Sequence, residues 1–131
     1  MMDRESIRKF VRKTLGCTCP DDVFQYIECQ ADVVTGGGIV LDYEINVGNR
    51  LLIYVVGVDK GHDLLRDVVS HLIQVGTEQR DEHRFNRFRL VLLAASPRSI
   101  EDRASDIFSS LSPDDKVHLH VIGQDEFDRM G

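Results

Sequence analysis

Two cysteines, Cys17 and Cys19, flank a single threonine in the stretch LGCTCPDDVF, and a proline directly follows the second. A thiol at a helix N-terminus meets the positive end of the helix dipole, which favours the thiolate and with it nucleophilic attack or metal binding. Cys19 before Pro20 has that placement if Asp21 and Asp22 open a helical turn. The same aspartates oppose it, because nearby negative charge disfavours a second anion. Redox dithiols hold two residues between their cysteines, and the single residue here strains any internal disulfide. Both sulfurs could instead chelate a soft metal such as zinc, with Cys29 as a third ligand. Against these stands a plain corner, in which cysteine serves as a small buried hydrophobe. The corner explains the stretch most simply, with soft-metal binding as the chemical alternative.

His118 and His120 come next. Residues two apart on a strand share a face, so both imidazoles could bind one ion. Cys17, Cys19 or carboxylates would then have to complete a zinc sphere. No ligand spacing supports this, and Val117, Leu119 and Val121 occupy the opposite face. The pair therefore reads as exposed histidines on the more polar side of a strand. Ser96-Pro97-Arg98-Ser99 follows an apolar run at a helix start, where backbone amides and Arg98 could hold an anion. Ligands of open α/β sheets gather at strand C-terminal ends, although an ordinary cap explains the same residues. Residues 84–89, RFNRFR, interleave basic and aromatic side chains as single-strand nucleic-acid binders do. The simpler account is a loop entering a buried strand, with Phe88 inward and the arginines solvated. Gly36-Gly37-Gly38 lacks the lysine and hydroxyl of a phosphate loop and precedes a strand, so it reads as a hinge or tight hairpin. No catalytic triad or paired acid/base set emerges.

The elements that must position these residues follow from periodicity. Ile7, Phe10, Val11 and Leu15 line one helical face, with Asp3 as cap and Gly16 at the left-handed stop. Pro20-Asp21-Asp22 starts a short helical turn, and Ile27, Cys29, Ala31 and Val33 then alternate as in a strand. Ile39, Leu41, Tyr43, Ile45 and Val47 make a clear half-buried strand, Gly48-Asn49 a two-residue hairpin turn, and residues 50–58 the returning strand. Leu64, Leu65, Val68, Leu72 and Val75 mark a long helix over residues 62–79. Residues 88–95, FRLVLLAA, suit a strand covered on both faces. Ser96-Pro97 caps a third long helix bearing Ile100, Ala104, Ile107, Phe108 and Leu111, and VHLHVI is a fifth strand before a short polar helix at residues 124–130. The predicted order is α-β-β-β-α-β-α-β-(α). It describes one α/β (α+β) domain over residues 1–131, built on a five-stranded mixed sheet.

The bulk numbers agree with that class. A chain of 131 residues can bury a core without disulfides. No apolar run nears the roughly 20 residues that span a bilayer, and MMDRESIRKFVRK has no apolar core of a secretory signal. Three cysteines are too few and too clustered for a disulfide framework, which points to reduced thiols in a cytoplasm. A formal charge of −6 repels the phosphate backbone and argues against general nucleic-acid binding.

Two resemblances bear on function. Leu15, Gly16, Cys17, Cys19 and Pro20 after an N-terminal helix are similar to the start of certain small prokaryotic proteins, a likeness that implies no activity. Asp42 and Glu44 share the polar face of the second strand, and the α-β-β-β-α-β order over residues 7–95 resembles the core of the PD-(D/E)XK nucleases, a restriction-endonuclease-like topology. In that family an aspartate on the second strand and a Glu-x-Lys on the third hold magnesium and activate water for phosphodiester cleavage. Asp42 matches the first element. The third strand, LLIYVVGV, contains neither glutamate nor lysine, and Asp59-Lys60 follows it in the reverse order, so the resemblance implies a missing or displaced site. The expected function is a non-enzymatic module that binds a protein partner or self-associates, with no cofactor. The alternatives are thiol or metal binding at Cys17 and Cys19, and a degenerate nuclease relative.

Overall fold

The computed structural model describes residues 3–16, 20–35, 38–58 and 65–129. Cys17, Cys19, Gly36, Gly37, Asp59, Lys60 and the start of the long helix at residues 62–64 lie outside them.

The chain opens with helix α1, Arg4–Lys9, whose N-cap Asp3 accepts the Ser6 amide at 2.8 Å. The helix widens into a π-helical turn, Phe10–Thr14, closed by Leu15 N–H donating to the Phe10 carbonyl at 3.0 Å. Gly16, at φ +69°, ends it in the left-handed conformation expected of a glycine stop. A 3-10 turn, Asp21–Gln25, leads into strand β1, Ile27–Val34. Strands β2, Val40–Val47, and β3, Leu51–Gly57, follow. Gly48 and Asn49 both have positive φ, as a type I′ hairpin requires. Helix α2, Leu65–His83, runs four residues beyond the expected end. Strand β4, Arg87–Ala94, helix α3, Pro97–Ser110, strand β5, Val117–Gly123, and helix α4, Gln124–Asp128, complete the order.

The five strands lie in sequence order, β1-β2-β3-β4-β5. The first two pairings are antiparallel and the last two parallel. The crossovers through α2 and α3 place both helices on one face, where Leu72, Val69, Ile100 and Ala104 cover Leu52, Tyr54, Leu90 and Leu92. The other face takes the first helix and α4, with Ile7, Phe10, Leu15 and Phe127 against Ile45, Ile53, Val91 and Leu93. Strands β3 and β4 are buried on both sides, which is why their sequences are almost unbroken runs of apolar residues. Helix α2 approaches β4 through Gly76, where a Cβ would fall 2.1 Å from the Phe88 ring.

The first hairpin does not follow simple alternation. Ile27 and Cys29 pack on the α1 face, whereas Val33, two and three positions of the same parity later, packs on the α2 face. Register is unbroken across the change, from Ala31↔Tyr43 to Val33↔Leu41. Strand β2, expected to bury one face, changes in step: Tyr43, Ile45 and Val47 pack on the α1 face and Leu41 on the α2 face. Asp32, at φ +54°, marks the place, and the twist of the paired strands turns the hairpin tip over α2. There Thr35 Oγ1 lies 3.3 Å from His71 Nε2.

Candidate functional site

Arg89 is the polar residue that the fold treats most unusually. It is the third residue of β4, and its parity with Val91 and Leu93 sends it to the α1 face of the sheet. The end of the first helix covers it there, leaving 8% of the residue exposed. Arg89 Nη1 donates to the Leu15 carbonyl at 3.0 Å and to His120 Nε2 at 2.8 Å. Because that imidazole nitrogen accepts, His120 is neutral and carries its proton on Nδ1. Burial, then the charge of Arg89, then His118 push the His120 pKa down to about 4. His118 stands directly opposite Arg89 in the β4–β5 ladder, and burial followed by Arg89 and Arg87 lowers its pKa too. Arg89 Nε and His118 Nε2 are both buried without a hydrogen-bond partner.

This geometry corrects two expectations from the sequence. The arginines of residues 84–89 are not all solvated: Arg84 and Arg87 are exposed, Phe88 is fully buried and Arg89 is buried beside it on the opposite face. The histidines are not an open pair on a solvated face, because both are partly buried under the same covering layer. The alternation in VHLHVI puts them on one face, but a polar face need not be an exposed one. The missed signal was an arginine inside an otherwise apolar run, which must either pair or face a polar enclosure.

The remaining candidates are dispersed. Cys29 is half-buried on β1, and burial raises its thiol pKa, so it stays protonated at neutral pH. Strands β1 and β5 are opposite edges of the sheet. Four strand spacings, roughly 19 Å, separate Cys29 from His118 and His120. Among the described residues no cluster of three or more His, Cys, Asp or Glu could hold a metal ion. Asp21, which was expected to repel a thiolate at Cys19, accepts hydrogen bonds from Arg8 at 2.9 Å and Arg12 at 2.5 Å.

Asp42 lies where β2 turns away from β3. Its carboxylate accepts the Gly57 amide, but burial outweighs that bond and raises its pKa, with Asp32 adding to the rise. A Cβ on residue 57 would sit 3.3 Å from Asp42 Oδ2. Glu44 points to the other side of the hairpin, in a groove with Glu28, Asn46, Gln79 and His83. Ser96, Arg98 and Ser99 are exposed. Ser96 makes no side-chain cap, and Ser99 Oγ donates to the Ser96 carbonyl at 2.6 Å.

No family model, no curated protein and no solved structure matches the chain. Among the described residues no helix is long and apolar enough to cross a membrane.

Proposed function

We propose that the chain is a non-enzymatic module that self-associates through the free edge of β1. The observation that carries this reading is the strand itself. Eight residues long, it pairs with β2 on one side, and five of its residues are exposed. Such an edge presents a row of unpaired amides and carbonyls, a template for another strand. The kink at Asp32 leaves residues 27–31 as the straight segment. Antiparallel pairing of two copies about Cys29 would set Glu28 of each against Gln30 of the other. That arrangement opposes a carboxylate to an amide and brings no like charges face to face. The two groups already suit each other within one chain, where Gln30 Nε2 donates to Glu28 Oε1 at 2.9 Å. Tyr26, 45% exposed before the strand, supplies apolar surface beside the edge.

Light scattering across a concentration series tests the proposal. The expected result is a mass that rises from monomer toward dimer. Monomer mass at every concentration would remove the reading.

A second reading keeps the likeness to the PD-(D/E)XK core, as a degenerate relative with a restriction-endonuclease-like topology. The supporting observation is Asp42 facing Gly57 at the end of β3, a position that offers no side-chain ligand. The expected result is no magnesium-dependent DNA cleavage by the protein. Cleavage that Asp42→Ala abolishes would favour a working nuclease over both readings.

A further inference from the structure

Among the described residues Arg80 and Arg89 are the buried charged side chains, and their surroundings differ. Arg80 forms a two-point ion pair with Asp114, at 2.8 and 2.7 Å, and also reaches Asp81 at 3.0 Å. Arg89 forms no ion pair among the described residues. Its partners are a carbonyl oxygen and a neutral imidazole, both bonded to Nη1, and Nε is left buried and unpartnered. A guanidinium stays protonated at any physiological pH. Burying such a charge without a counter-ion is costly, and hydrogen bonds to a carbonyl and an imidazole offset only part of that cost. The side of the guanidinium that carries Nε is one that carboxylates and phosphates engage with two parallel bonds. His118, directly across the ladder on the same face of the sheet, holds a second buried, unpartnered nitrogen.

We infer that Arg89 and His118 form a binding site for a small oxyanion, a carboxylate or a phosphate. Arg89 supplies the fixed charge through Nε, and His118 Nε2 supplies the second contact. Arg87, two residues along the strand and exposed, adds positive potential at both groups, and at His118 it outweighs the smaller opposing effects of Asp115 and Asp114. That potential disfavours a metal cation at the histidine pair, and the Arg89 bond already occupies His120 Nε2. His118 and His120 lie on the edge strand β5 and are only partly buried, so that edge is the side from which an ion would enter. The site is on the opposite edge of the sheet from β1 and is independent of the association proposed there.

Calorimetric titration with inorganic phosphate and, separately, acetate, each against chloride at equal ionic strength, tests the inference. Saturable one-to-one binding of either anion is expected, with a rise in melting temperature that chloride does not give. The preferred anion identifies the ligand class. Arg89→Met should abolish the response, and His118→Gln should weaken it about tenfold with the fold retained by circular dichroism. If Arg89→Met does not fold, Arg89→Lys and His118→Gln carry the comparison. The inference is overturned if neither anion binds, or if the variants bind it as the wild type does.

Discussion

Arg89 is the third residue of RFRLVLLA, and every other residue from Phe88 to Ala94 is apolar and buried. Parity along the strand assigns it to the face of Val91 and Leu93, so the sequence already contained its direction. What it did not contain was the covering layer. The first helix lies 74 residues earlier, and its Leu15 carbonyl is what receives the guanidinium. The partial burial of the β5 histidines is hidden from the sequence for the same reason, since only tertiary packing distinguishes a polar face from a solvated one. The neutral state of His120 has a measurable consequence. Its pKa in the fold, about 4, lies below its ordinary value of 6.5. Between those values the unfolded chain takes up a proton that the folded chain refuses, so stability falls as pH drops from 6.5 to 4 and the loss levels off below. The slope cannot exceed about 1.4 kcal/mol per pH unit for this group, and partial exposure reduces it. Thermal melts across this range should show a steeper decline for the wild type than for His120→Asn, which keeps an acceptor for Arg89 but does not titrate. Equal slopes would refute a neutral, buried His120.

At the level of elements, helices and central strands were legible because each carries its own periodicity. Ile7, Phe10, Val11 and Leu15 are all buried as their spacing requires, and the cap at Asp3 forms. The first hairpin was legible only in part. Alternation predicts one face for Ile27, Cys29, Ala31 and Val33, but the positive φ of Asp32 sends Val33 to the other core. Two contacts that hold α2 in place were also hidden, being long-range. Gly76 lets α2 close on the Phe88 ring, and adding a methyl group there forces the helix or the ring to move. Gly76→Ala should therefore destabilise the protein by about 1–3 kcal/mol, even though alanine is the better helix former. Denaturant titration would show this as a lowered midpoint with an unchanged slope. Arg80 clamps the C-terminal turn of α2 to the loop before β5 through Asp114, whose pKa that guanidinium holds below the usual carboxylate value. Asp114→Ala leaves Arg80 with Asp81 alone. It should cost about 1–3 kcal/mol, read in the same titration; no change in midpoint would mean that Asp81 suffices.

On the scale of the whole molecule, a single α/β domain places its five-stranded mixed sheet between two helical layers. The two ends of the sheet are finished differently. Strand β5 is partly buried along most of its length, whereas β1 is largely open. Fold class was readable from the order of elements, but which edge would stay bare was not, because exposure of an edge depends on where distant helices come to rest. The charge of −6 on each copy opposes association at low ionic strength. Raising salt from about 0.01 to about 0.5 M should therefore increase the dimer fraction. Sedimentation velocity on the wild type, Gln30→Glu and Gln30→Lys at matched concentrations provides the sharpest comparison. Gln30→Glu would set a like charge against Glu28 of the second copy, whereas Gln30→Lys would set an opposite one. Pairing about Cys29 predicts the order of dimer content Gln30→Lys, wild type, Gln30→Glu; three proteins that all sediment as monomers would contradict it.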